Sequence, residues 1–272
     1  MNRMRMALAM RRLVKVVRSA GDFPVIVFAS EDYLPVVENW LFAFDASGAK
    51  EVVVVALDGR TQQWVHERGV AAALITLGAD KSDLWVTRVR VFAALLRAGV
   101  SFVHSDADAV WRVDPRKYLS DQKSDLLVSQ GTVWPQEAVD RWGFVACAGF
   151  FAARSTPATR ALFTQILRVT KREQDDQRAI NLVLLDQIRA WDFAPDSTYT
   201  LDFREKTLRC SSEIVRASTA TGIRVGLLPN RLFLRAPEPD TSPAFVHHPV
   251  SPKNLARKAQ SLAASGDWHL GN

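Results

Sequence analysis

The stretch HSDADAVW (104–111) carries two carboxylates two positions apart, Asp106 and Asp108, directly after the apolar run VSFV (100–103). If a strand continues through them, both side chains share one face; if a turn begins, both reach the rim. Like charges this close repel, and one carboxyl is driven neutral unless a cation compensates. Hard divalent cations such as Mn²⁺ and Mg²⁺ prefer carboxylate oxygen and share their shell with a substrate's phosphates, so a metal carrying a nucleotide diphosphate suits the pair. The plainer alternative is a turn in which Asp106 caps a backbone amide and Asp108 is solvated.

Other residues could serve the same chemistry. FVHHPVSPKN (245–254) sets His247 six residues before Lys253. A neutral imidazole can complete a metal shell, and a lysine can offset the charge of a diphosphate leaving group. His248 is the rival ligand, and a pair of surface edge-strand histidines is the plain alternative. QDDQRAIN (174–181) opens a helix, where acids are favoured by the free amides and the dipole whatever their function. A helix start facing a cleft would also present Asp176 and Gln177 there. In ACAGFF (146–151), Gly149 permits close backbone approach, and Cys147 reads as a small buried residue rather than a nucleophile. Arg88 either reaches a phosphate or is solvated. Trp134 offers an aromatic face to an acceptor, or fills space.

These groups need a scaffold. PVIVFAS (24–30), KEVVVVALD (50–58), AALITL (72–77) and VSFVHSD (100–106) read as buried strands. Helical spacing separates them: DYLPVVENWLFAFDASG, TQQWVHERG, and the serine-capped run 82–99 that ends at Gly99. The alternation predicts an α/β fold, a mostly parallel Rossmann-like sheet with helices on both faces. In such sheets ligands bind at the carboxyl ends of the strands. That rule puts Ala29 and Ser30, Asp58, and Asp106 to Asp108 on one rim. Further on, 124–130 and 144–155 read as strands, the latter broken by glycine; 157–171 and 174–190 read as helices; RVGLLPN and AFVHH read as short strands. No repeat or linker divides the chain. One domain over residues 1–272 is expected, with a basic lead-in (1–20), a nucleotide-binding half (21–115) and a sugar- and acceptor-binding half (116–272).

Composition fits this reading. The 272 residues are 48% hydrophobic, enough for a sizeable core. The net charge of +6 suits anionic partners. The first 18 residues hold six basic side chains and no acid, a stretch that could touch a membrane surface weakly. Lys15 and Arg18 interrupt any apolar run there, so no membrane-spanning segment is expected. No nucleic-acid-reading motif is present, so a nucleic-acid partner is not expected. Two distant cysteines match no redox or metal spacing, and a cytoplasmic location is the expectation.

The stretch LLRAGVSFVHSDADAVWRVDP resembles the nucleotide-diphospho-sugar transferases, in which Leu-x-x-Gly, a strand, Ser-Asp-x-Asp and Val-Trp-x-x-Asp-Pro follow in order. VFAS, NWL and VVALD upstream, and GFFAARSTPATRALF, DDQRAIN and the histidine–lysine segment downstream, extend the likeness over roughly residues 24–258. The resemblance implies a GT-A fold and a metal-dependent glycosyltransferase that moves a sugar from a nucleotide diphosphate, most simply a UDP-sugar, to an acceptor hydroxyl with retention. It implies Asp108 as a ligand of Mn²⁺ or Mg²⁺. Asp106 would touch the ribose or a metal-bound water, and His247 would complete the shell. Lys253 and Arg88 would lie toward the diphosphate, with Asp176 and Gln177 at the sugar. Relatives carry Asn-Thr-Gly near the sugar and a glycine three residues after the histidine. Cys147 and Ala148 depart from the first pattern and Val250 from the second. The other function class open on these grounds is a nucleotide-sugar-binding protein without transferase activity.

Overall fold

A computed structural model describes residues 3–77, 83–131, 133–235, 238, 241–250 and 254–271. The chain opens with α1 (Arg3–Ser19), β1 (Val25–Ala29), α2 (Leu34–Ala46), β2 (Val52–Ala56), α3 (Gly59–Glu67), β3 (Ala71–Leu74), α4 (Asp83–Arg97), β4 (Phe102–Ser105) and β5 (Val110–Trp111). It continues through α5 (Arg116–Asp121), β6 (Leu126–Gln130), α6 (Gln136–Trp142), β7 (Ala146–Ala153), α7 (Pro157–Glu173), α8 (Asp176–Gln187) and β8 (Ile188–Asp192). The last elements are β9 (Thr198–Phe203), β10 (Lys206–Ser211), β11 (Val215–Thr219), β12 (Val225–Leu227), β13 (Phe233–Leu234), β14 (Val246–His247) and α9 (Leu255–Ala264).

Nine strands form one sheet in the order β3-β2-β1-β4-β7-β6-β12-β11-β8. β3, β2, β1 and β4 pair in parallel. β7 is antiparallel to both β4 and β6. β12 is parallel to β6 and β11 antiparallel to β12, so only β7 and β11 run against the rest. The first four strands read as continuous apolar runs because both faces are covered. Ile26, Val53 and Val55 pack into a core under α1, α4, α7 and α8 with Phe92, Phe102 and Phe163. Their neighbours Val25, Val27 and Val54 face the opposite core with Trp40, Phe44, Trp111 and Phe150.

Several expectations change. The helix expected over 174–190 stops at Gln187, and Ile188–Asp192 becomes an edge strand paired with β11. Ile188 and Trp191 join the core there, and sheet pairing outweighs local helix preference. β7 runs unbroken through Gly149. AFVHH supplies only a two-residue strand, β14. The β9–β10 hairpin was not expected. The serine cap at residue 82 lies outside the described residues; α4 itself ends as expected, with Gly99 at φ +83°.

Candidate active site

β4 ends at Ser105 and delivers the two aspartates to the rim. The Asp106 amide donates to the Gly149 carbonyl at 2.6 Å, tying the strand end to β7. The Ala109 amide then donates back to Asp106 at 3.0 Å, closing a turn that feeds β5. Aromatic side chains brace this turn from behind. Trp40 Nε1 donates to the Ala109 carbonyl at 2.8 Å, and Trp111 Nε1 donates to Ser105 Oγ at 3.1 Å. Trp111 is 1% exposed and packs beneath the motif.

The C-terminal segment brings the third group. β14 pairs antiparallel with β5, matching His247 to Val110. Successive side chains of a strand point to opposite faces, so the two histidines part company. His248 turns to the aspartates, its Nε2 3.4 Å from Asp108 Oδ1. His247 turns away: Asp267 lies 2.5 Å from its Nδ1, and the same nitrogen is 3.2 Å from Arg112. One ligand atom from each of Asp106, Asp108 and His248 lies within 4.8 Å of the others. The grouping expected for His247 is therefore made by His248.

Two oxygen donors and one imidazole suit Mn²⁺ or Mg²⁺ more than a soft ion. The packing supports a built cluster. A Cβ placed on Gly149 would strike the Asp106 carboxylate and lie 2.5 Å from His248 Cε1, so glycine is required there. A cation already neutralises part of the cluster: Lys258, from α9, forms an ion pair with Asp108. Burial opposes ionisation of Asp108, yet His248 and Lys258 hold its carboxyl well below the usual range. In return, Asp108 outweighs burial and raises both the imidazole and the ammonium.

Asp106 is held from the other side. Arg88, buried on α4, lies 3.1 Å from Asp106 Oδ1 and 3.1 Å from Asp176 Oδ2. It also donates to the Ala148 carbonyl at 3.2 Å and reaches His104 Nε2 at 2.8 Å. Arg88 is thus a buried tether between carboxylates, neither solvated nor open toward a phosphate. Burial is outweighed by Arg88 at Asp106, whose carboxyl is held low. His104 lies 3.0 Å from the Ile26 carbonyl through Nδ1, which places its proton there and leaves Nε2 to accept from Arg88. Burial lowers its pKa, so it stays neutral.

The start of α8 divides its labour between neighbouring acids. Asp175 caps the helix, accepting from the Arg178 amide. That leaves the Asp176 side chain to face Arg88, where it is 6% exposed and burial raises its pKa to about 6 against the pull of Arg88. Asp176 Oδ2 is buried without a well-directed hydrogen bond, although Arg88 lies beside it. Gln177 is differently used. Its amide accepts from the Ala148 amide at 2.7 Å and donates to the Ala146 carbonyl at 2.7 Å, clamping β7. Asn181 adds two further bonds to Ala146.

The remaining expected residues lie at the rim or outside it. Ala29 ends β1, and Ser30 begins the turn that carries Tyr33. Asp58 caps α3 through Thr61 and accepts from the Glu31 amide at 2.9 Å, so its oxygens are engaged with backbone. Trp134 is half exposed beside Arg178. Cys147, 2% exposed, lies 3.9 Å from His248 Nδ1; burial is outweighed by Arg235, and its thiol falls to about 7. Lys253 lies outside the described residues. Sequence reading passed over His104, Lys258 and Tyr33. Tyr33 feels Lys258, Asp108 and Asp106, with burial the main cause of its raised pKa. A histidine inside HSDAD was a visible signal; a lysine four residues into a C-terminal helix was not.

The profile of the nucleotide-diphospho-sugar transferases matches residues 47–258, more than half of the chain. The chain belongs to this nucleotide-diphospho-sugar transferase family. Among solved structures, the galactosyltransferase LgtC in complex with donor and acceptor sugar analogues is 11% identical, with a TM-score of 0.50 over 92% of this chain and 98% of that one. The apo glycosyltransferase GlyE of Streptococcus pneumoniae TIGR4 is 13% identical (TM-score 0.43) over 61% of this chain and 44% of that one. The apo bifunctional glycosyltransferase WbbM is 15% identical (TM-score 0.44) over 60% and 37%. The chain thus matches less than half the length of GlyE and WbbM. At these identities the likeness is one of fold, and the fold is GT-A. None of the curated proteins matches the chain.

Proposed function

We propose that the protein is a metal-dependent glycosyltransferase that takes a sugar from a nucleotide diphosphate donor, a UDP-sugar, and passes it to an acceptor hydroxyl with retention. The observation that carries the reading is the convergence of Asp106, Asp108 and His248 at the ends of β4 and β14 in a chain of this family. Mn²⁺ or Mg²⁺ would be held by these three residues, and when bound it supplies positive charge to the departing diphosphate.

The chain's own residues do the rest. Asp176 presents a buried carboxylate oxygen to the cleft and accepts from a hydroxyl of the donor sugar. Arg88 fixes Asp176 and Asp106 relative to one another, so their geometry is set before the donor arrives. Gln177 holds the Ala146–Ala148 backbone, which keeps Gly149 against Asp106. Lys258 neutralises Asp108; with a metal held at Asp108, its ammonium would have the donor diphosphate as its next anionic partner. Lys253 serves the same leaving group, and Trp134 lies on the acceptor side.

The test follows nucleoside diphosphate release from a panel of nucleotide sugars with Mn²⁺ and a hydroxyl acceptor. Asp108→Asn is expected to cut turnover by about 100-fold or more, the scale of losing one preorganised charge-stabilising group. Undiminished release by Asp108→Asn would end the metal-site assignment. Donor binding with no release for any acceptor would instead make the protein a nucleotide-sugar binder.

A further inference from the structure

The charge of the molecule is concentrated in one helix. Residues 3–18 hold six of the 35 basic residues and none of the 29 acids. Without them 29 basic residues face 29 acidic ones, so the whole +6 belongs to α1. The inner face of α1, with Leu13 and Val17 fully buried, packs into the core, so the helix is a fixed part of the fold. Its outer face carries Arg5, Arg11, Arg12, Lys15 and Arg18, all exposed.

Two further observations separate this face from an ordinary solvated one. Met4 is 76% exposed and Leu8 50%, one helical turn apart and among the cations. Two grooves also flank the helix. One, of about 580 Å³, is lined by Arg11, Lys15, Arg18 and Arg97 with aliphatic side chains between them. The other, of about 770 Å³, lies against edge strand β3 and is lined by Arg5, Leu8, Arg12 and Lys15. Among the described residues, no acidic side chain lines either groove.

The geometry points to α1 as a docking surface for an anionic lipid bilayer. A 17-residue helix offers a face about 25 Å long, which suits an extended surface more than a small ligand. Clustered Lys and Arg adsorb to acidic headgroups, and apolar side chains among them enter the headgroup layer. A nucleic acid would use the charge but has no place for Met4 and Leu8, and α1 has no aromatic side chain for stacking. The attachment is peripheral: no described helix is long and apolar enough to cross a membrane.

The orientation fits the site. Arg18 donates to the Ala98 carbonyl, just before β4 begins, so α1 runs back along the sheet from there. Met4 and Leu8 therefore lie toward the end at which the parallel strands finish, the end that carries Asp106 and Asp108. On the function proposed above, an acceptor presented at the bilayer would meet the cleft. The docking itself is measured by partition alone and stands or falls separately from that reading.

The test sediments the full chain with vesicles of phosphatidylcholine, with and without phosphatidylglycerol. Binding is expected only to the anionic vesicles, weakening as salt rises. Each cation near such a surface is worth about fivefold in partition, so Arg11→Glu with Arg12→Glu lowers binding by roughly 25-fold or more. Leu8→Ser leaves the charge intact and lowers binding severalfold, which separates insertion from adsorption. Circular dichroism checks that each variant is folded. Equal binding to both vesicles, or unchanged partition of the double variant, would overturn the proposal. Binding to duplex DNA as tight as to anionic vesicles, and insensitive to Leu8→Ser, would overturn it in favour of a nucleic acid.

Discussion

Two sets of carboxylates sit side by side at the strand ends and are neutralised in different ways. Asp106 and Asp176 are held by Arg88, a guanidinium buried on α4 that also bonds the Ala148 carbonyl and contacts His104. Asp108 is held by Lys258 and His248, both from the last 25 residues of the chain. A guanidinium has a rigid fork and a fixed charge; an ammonium is a point charge on a flexible stem. The first arrangement is a permanent tether. The second rests on a flexible ammonium, which a metal would have to displace to occupy Asp108.

Breaking the tether has the largest expected effect. Arg88→Met leaves the buried Asp176 and the partly buried Asp106 without their shared cation and is expected to cost about 3–5 kcal/mol of stability, read by denaturant unfolding. The paired histidines come next. His248→Ala is expected to weaken Mn²⁺ binding by about 10–100-fold in calorimetry. His247→Ala is expected to leave Mn²⁺ affinity unchanged but to cost about 1–3 kcal/mol of stability, because Asp267 loses a buried partner. Equal effects on Mn²⁺ would erase the division between the two faces of β14.

Replacing Lys258 works in the opposite direction. Lys258→Met removes the competitor for Asp108 and is expected to tighten Mn²⁺ about tenfold or more, roughly 1.4 kcal/mol. Unchanged or weaker affinity would show Lys258 to be a fixed partner like Arg88. The mildest test is pH. Asp176 titrates at about 6, so the folded protein holds it protonated below that value and ionised above it. Turnover that needs its carboxylate rises through about pH 6, and Asp176→Asn removes that inflection. The same shift stabilises the fold at low pH. That contribution is full below the ordinary aspartate value and is lost as pH rises through about 6.

The two regions also differed in how far the sequence revealed them. The rim formed by Ala29, Asp58 and Asp106–Asp108 was legible because buried parallel strands read as apolar runs and ligands gather at their carboxyl ends. Gly149 was legible as a point of close approach, and the structure supplies the reason in Asp106 and His248. The choice between His247 and His248 was not legible, because a one-residue difference in strand register exchanges the faces. Arg88 could be read as exposed or phosphate-bound because its partners, Asp106 and Asp176, lie 18 and 88 residues away in the sequence. The β9–β10 hairpin was hidden for a local reason. Its turn places Arg204 and Glu205 at φ 49° and 61°, without the Asn-Gly signal that marks such turns.

Whether the site takes metal and donor together is read most plainly by thermal unfolding. A ligand that binds only the native state raises the melting temperature by mass action. A UDP-sugar and Mn²⁺ together are expected to raise it well beyond the sum of either alone, and Asp108→Asn is expected to abolish the excess. A UDP-sugar that stabilises the protein equally with and without metal, or the same excess in Asp108→Asn, would contradict the account.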